Sequence, residues 1–198
     1  MAALATAFRN PVASSQGVFR AVMDAMARPG TIRPIAFDLE SPSSLSNGAA
    51  AVALTLLDYE TPVWLDPVLA AGGDVSEWLR FHTGAPLVDD SIRAAFAFIS
   101  SAAVLPPFSR FFSGSMEYPD RSTTLVVQVD AFEGEQPLRL AGPGIAGERD
   151  FSFAPMPEYF ADALDANRAL FPRGIDLLFV TDEAVTALPR STRLVRGA

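Results

Sequence analysis

A chain of 198 residues with 49% hydrophobic side chains has enough apolar material for one compact domain that needs neither disulfide nor metal to fold. It contains no cysteine and no lysine, which excludes thiolate nucleophiles, cysteine zinc sites, iron–sulfur ligation, Schiff-base chemistry and a P-loop lysine. A formal net charge of −8 opposes non-specific nucleic-acid binding and adsorption to acidic membranes.

The first residues, MAALATAFRNPVASS, lack the cationic start and long apolar core of a signal peptide. The longest apolar run, Ala49 to Leu57, falls well short of the roughly 18 residues of a spanning helix. The expectation is a cytoplasmic protein with no membrane segment.

In chain order, Ser14 or Ser15 is read as the cap of a helix with Val18, Phe19, Val22, Met23 and Met26 inside. Arg20, Asp24 and Arg28 take its wet side, and Arg28-Pro29-Gly30 stops it. TIRPIAF, Thr31 to Phe37, is short and interrupted by proline, an edge strand at best. Asn47-Gly48 is read as the cap of a helix over Ala49–Leu57, apolar almost all round and therefore buried. Val63–Leu65 is a short strand, DVSEWLRF (Asp74–Phe81) one or two helical turns, and AAFAFI (Ala94–Ile99) another strand.

Leu105 to Ser122 is the most irregular stretch and long enough to be a functional loop. Thr123–Val129 reads as a strong strand, and Pro137–Ala141 is expected to pair with it after the turn Glu133–Gln136. Pro157 is placed at the first position of a helix with Met156, Tyr159, Phe160, Ala163 and Leu164 on one face. Ile175–Val180 is apolar on both faces, as a covered central strand should be, and the tail from Val185 adds an edge strand. Helices interleaved with both kinds of strand point to an α/β fold, a single domain with a central mixed sheet flanked by helices.

Gly142, Gly144 and Gly147 match the dinucleotide spacing G-x-G-x-x-G. That fingerprint works only where a helix starts inside it and aims its N–H groups at a pyrophosphate. Here ERDFSFAPMP follows, with alternation and two prolines, and Pro143 removes a needed N–H. The glycines are read as a wide turn after a strand, serving positive φ.

His82 is the single histidine, so no histidine-based metal centre can form. Beside Arg80 and Thr83 it suggests an anion-binding cluster, the alternative being a hydrogen-bonded residue at a helix or strand end. Tyr118, Asp120 and Arg121 lie in EYPDRS, and Arg190 and Arg193 in LPRSTR; arginine forks suit phosphate or carboxylate, although either stretch also reads as a solvated turn or tail. Asp89-Asp90 and Asp182-Glu183 read as solvent-facing turns. The nucleophile-elbow, zincin and P-loop patterns are absent, so no catalytic residue, metal ligand or cofactor site is assigned.

Seven blocks in register, FRAVMDAMARPG, LTLLDYETPVWL, LRFHTGAPL, GSMEYPDRSTTLVVQV, LRLAGPGI, FPRGIDLLFV and ALPRSTRL, resemble the PhnH family, the H subunit of the bacterial carbon–phosphorus lyase system. The resemblance runs from about Phe8 to Leu194, nearly the whole chain. It implies a mixed α/β sheet similar to the large domain of pyridoxal-phosphate-dependent transferases, without the cofactor; the missing lysine agrees. It further implies a homodimer that joins the G, I and J subunits. The pathway's first step joins a phosphonate to the ribose of a nucleoside triphosphate and displaces the base. That displacement is attributed mainly to the I subunit, with G, H and L required, and carbon–phosphorus cleavage to the iron–sulfur J subunit.

The family supplies no catalytic residue to carry over, and the LAGPGI turn is expected to shape a loop near a subunit interface. Two functions stand side by side. One is an accessory subunit acting by assembly. The other is a phosphonate- or triphosphate-binding protein or enzyme working through Arg80, His82, Thr83, Arg121 and Arg190. A pyridoxal-phosphate enzyme is removed by the absent lysine.

Overall fold

The computed structural model describes residues 7–196. Its first helix, α1 (Pro11–Ala27), starts ahead of both expected serine caps. Asn10 is the Ncap, accepting the N–H of Ala13, and Pro11 occupies the first helical position, where its missing N–H leaves nothing unpaired. The buried stripe is Val18, Val22 and Ala25, whereas Phe19 and Met23, expected inside, stand 49% and 52% exposed. At 100° per residue, Phe19 and Met23 are turned roughly 100° or more away from that stripe, and a helix lying on one layer buries one stripe.

The main sheet holds β1 (Arg33–Pro34), β2 (Val63–Leu65), β3 (Phe96–Ile99), β4 (Thr124–Gln128), β7 (Asp176–Val180) and β8 (Ala184–Leu188) in the order β1-β8-β7-β4-β3-β2. The pairs β2–β3, β3–β4 and β4–β7 are parallel; β8 is antiparallel to β7, and the two-residue β1 borders β8. Sheet alternation sorts the core into two layers. Leu65, Phe98, Val126, Leu178 and Ala187 face α1, α2 (Asn47–Leu56) and α4 (Asp74–Thr83). Trp64, Ile99, Val127, Leu177 and Phe179 face the opposite layer, where Phe153 stacks on Phe179 with ring centres 4.5 Å apart and Phe160 meets both.

The helix expected after Asn47-Gly48 is present and deeply buried, but Ser46 caps it, accepting the N–H of Ala49 at 3.1 Å. α4 extends past the one or two turns expected, to ten residues, and Gly84 closes it with φ +71°. A single turn, α3 (Pro67–Ala70), joins β2 to α4.

Pro137–Ala141 does not pair with the strong strand. Both edges of β4 are taken by β3 and β7, and the chain leaves the sheet where Asp130 N–H bonds to Ala154 O. Its strand, β5 (Leu138–Ala141), instead sits between β6 (Arg149–Phe151) and β9 (Arg193–Leu194) in a separate three-stranded antiparallel sheet. The last helix, α5 (Phe160–Ala169), begins three residues after Pro157, which accepts the N–H of Phe160 in the preceding turn.

The glycine turn connects β5 to β6, and no helix starts in it. Gly144, with φ +80°, lies so close to the end of α1 that a Cβ would stand 2.0 Å from Ala27 O. The tight contact that demands glycine is inside the chain.

Candidate functional site

A cavity of about 410 Å³ opens outside the carboxyl ends of β3, β4 and β7, where α2 begins. In open α/β sheets this is where ligands bind, because loops diverge there and helix N-termini point inward. The walls are the segment Ser41–Asn47, Ser100 after β3, Gln128 to Asp130 at the end of β4, and Thr181 and Asp182 after β7.

Gln128 organises one wall. Its Oε1 accepts the Ser46 N–H at 2.5 Å, and its Nε2 donates to Ser44 O at 3.2 Å and Ser100 O at 2.9 Å. Asp182 accepts the Asn47 N–H at 2.9 Å, and the Ser41 hydroxyl reaches Asn47 Oδ1 at 2.9 Å. Beneath them Asp66, at the end of β2, accepts the Ser100 N–H and hydroxyl at 2.8 and 2.6 Å and the Leu69 N–H at 2.8 Å. Gly48 lets α2 approach this rim, since a Cβ there would lie 1.9 Å from Thr181 O.

Chemically the lining is hydroxyls, amides and the carboxylates of Asp130 and Asp182, with neither arginine nor histidine. The Asp182 carboxylate already occupies the end of the α2 dipole, where a phosphate would otherwise be favoured. Such a cavity suits a neutral polyol or a cation better than an anion. Among the described residues no group of three or more histidines or carboxylates converges as a metal site.

None of the five residues suggested by the sequence lines this cavity. Three sit in the last turn of α4. Arg80 is exposed; His82 packs against Trp78 and Phe81 with ring centres 4.9 Å from each. The Thr83 hydroxyl donates to Leu79 O and accepts the Ala85 N–H, which makes it part of the helix end. The other two meet at a separate place, the turn before β4. Arg121 stacks over the Tyr118 ring at 4.2 Å, and Arg190 clasps Asp176 while donating to Pro119 O. Arg193, in β9, is exposed.

Serine, asparagine and glutamine carry no motif, so in the sequence Asn47 reads only as a helix cap and Asp182 only as part of a solvent-facing turn. The available signal was the polar cluster SPSSLSN ahead of a buried helix, combined with polar residues just after apolar strands.

This is an α/β protein whose cavity lies at the carboxyl ends of a mixed sheet, and comparison places it among known chains. The family model described as bacterial phosphonate metabolism protein (PhnH) matches residues 6–195. The chain therefore belongs to the PhnH family. It is 48% identical over 190 residues to the alpha-D-ribose 1-methylphosphonate 5-triphosphate synthase subunit PhnH of Rhizobium meliloti, covering 96% of this chain and 94% of that one. It is 33% identical over 187 residues to HtxG of Stutzerimonas stutzeri, described as a C-P lyase subunit protein, covering 92% and 87% of the two chains.

Proposed function

We propose that this chain is an accessory subunit of the carbon–phosphorus lyase machinery, required with the G, I and L subunits to form ribose methylphosphonate triphosphate from a nucleoside triphosphate and a phosphonate. The observation that carries the reading is the 48% identity, over nearly the full length of both chains, to a subunit of that synthase. The chain forms a homodimer, acts by assembly with the G, I and J subunits, works in the cytoplasm as one domain and takes no cofactor of its own. Its sheet is of the kind found in the large domain of pyridoxal-phosphate-dependent transferases. Among the described residues no helix is long and apolar enough to cross a membrane.

The test is reconstitution. Purified G, I and L subunits with ATP and methylphosphonate release adenine when this chain is added and fail to when it is left out. Equal release in both mixtures overturns the proposal.

A second reading, a ligand-binding subunit, is favoured by the cavity outside the strand ends. Its polyol-like lining fits a sugar, whereas an anion would use the separate arginines, with Arg121 more available than Arg190. Calorimetric titration with ribose, ATP and methylphosphonate separates these, and heat abolished by Arg121→Ala marks the anion site.

A further inference from the structure

The amino-terminal end of the sheet, opposite the cavity, carries a surface of a different kind. The loop before β4 and the turn after α5 are tied together there by the Gly174 N–H, which donates to Ser113 O at 2.8 Å, while the Thr123 N–H closes the loop on itself at Phe112 O. Arg190, in the turn after β8, holds the same loop through Pro119 O. The joined segments expose Phe112, Met116, Tyr118, Leu170 and Phe171, with Met116 69% and Phe171 51% accessible. Clustered exposed apolar side chains of this size mark interaction sites, whereas scattered ones do not.

The charges here run against the rest of the chain. The whole sequence has 23 carboxylates to 15 arginines. Across Leu105–Arg121, Arg168–Asp176 and Arg190 there are five arginines to three carboxylates. One of those carboxylates, Asp176, is already held by Arg190. Arg168 lies over the Phe171 ring at 4.5 Å and Arg121 over the Tyr118 ring at 4.2 Å. Neither they nor Arg173 form an ion pair among the described residues. Each guanidinium is restrained over a ring face, so less side-chain freedom is lost when a carboxylate arrives.

We infer that this face docks a protein partner whose contact surface presents apolar side chains ringed by carboxylates. Aromatic residues and arginine in one patch are the composition of interface hot spots. A small anion would use the arginines and leave the five apolar side chains unexplained. The inference rests on the reading of the chain as a subunit of a larger assembly, and adds which face enters it and what the partner offers.

The experiment is co-expression with the G, I and J subunits, followed by size-exclusion chromatography with light scattering. Wild-type chain co-elutes in the large particle; if it does not, the assembly reading itself fails. Arg121→Glu with Arg168→Glu is expected to weaken association about 100-fold, as charge reversal opposite carboxylates does, with the melting temperature of the isolated chain nearly unchanged. Phe19→Asp on α1 leaves co-elution intact. Co-elution of the double reversal at wild-type level, or its loss in Phe19→Asp alone, overturns the assignment of the face. A milder pair, Arg121→Gln with Arg168→Gln, guards against misfolding: it must flatten the salt dependence of association. An unchanged salt slope, or saturable ATP binding lost in this pair with assembly intact, also counts against the proposal.

Discussion

Arg190 grips Asp176 through Nε and Nη2 of its guanidinium, and its own backbone N–H reaches the same carboxylate at 2.8 Å. The two side chains are only 15% and 12% exposed. This ties the turn after β8 to the start of β7, and through Pro119 O to the loop before β4. A residue that suggests ligand binding in the sequence is thus committed to the fold. Arg190→Ala removes one partner of a buried pair and is expected to destabilise by about 3 kcal/mol. Urea unfolding measures it, and a double-mutant cycle with Asp176→Asn should show strong coupling between the two.

Gly48 lies within α2, where glycine-to-alanine normally adds up to about 1 kcal/mol of stability. Here the sign reverses. A Cβ would meet Thr181 O at 1.9 Å, and that oxygen is backbone, so α2 or the end of β7 must move. Gly48→Ala is expected to lose about 2–3 kcal/mol, as overpacking does, and to disturb the cavity rim. Thermal melts give the first number; deuterium exchange across residues 41–47 and 181–184 gives the second.

Gly144 and Gly147 separate strain from contact. Both have positive φ, +80° and +76°, but only Gly144 faces an obstacle, for nothing lies within 4 Å of a Cβ at Gly147. Gly147→Ala is expected to lose about 1–2 kcal/mol, the conformational term alone. Gly144→Ala should lose clearly more, with the end of α1 loosened. Equal melting temperatures for the two variants would contradict the packing described here.

Burial raises the Tyr159 phenol above its ordinary value, and its hydroxyl donates to Leu105 O. In the unfolded chain the phenol ionises near pH 10, before it does in the folded protein. Its contribution is therefore complete below that pH and lost as pH rises through the folded value. The chain has no lysine to ionise alongside it. Denaturant midpoints between pH 8 and 11 should fall for the wild type above pH 10, and less steeply for Tyr159→Phe.

The strands at the centre of the fold were legible because each is a short apolar run bounded by turn residues. Ile175–Val180 reads as covered on both faces and forms β7, between β4 and β8. Helix starts were less legible. Asn10 caps α1 four residues ahead of Ser14, and Ser46 caps α2 one residue ahead of Asn47, because each of these polar side chains can supply the needed oxygen. The second sheet was not legible at all. A hairpin between Thr123–Val129 and Pro137–Ala141 satisfies every local rule, and only the arrival of β7 from about fifty residues downstream takes the edge it would need.

By itself the sequence determined what chemistry this protein lacks, since a chain without cysteine or lysine excludes thiolate and Schiff-base routes in any conformation. It also determined the alternation that packs two layers on one sheet, and the family blocks, both local properties of the chain. Only the tertiary structure decided which polar residues meet. Gln128 joins Ser44, Ser46 and Ser100 across as many as 84 residues, and Arg190 meets Asp176. Such pairings depend on which strand edges and helix ends are brought together, and backbone hydrogen bonds between distant segments settle that once the apolar layers have closed.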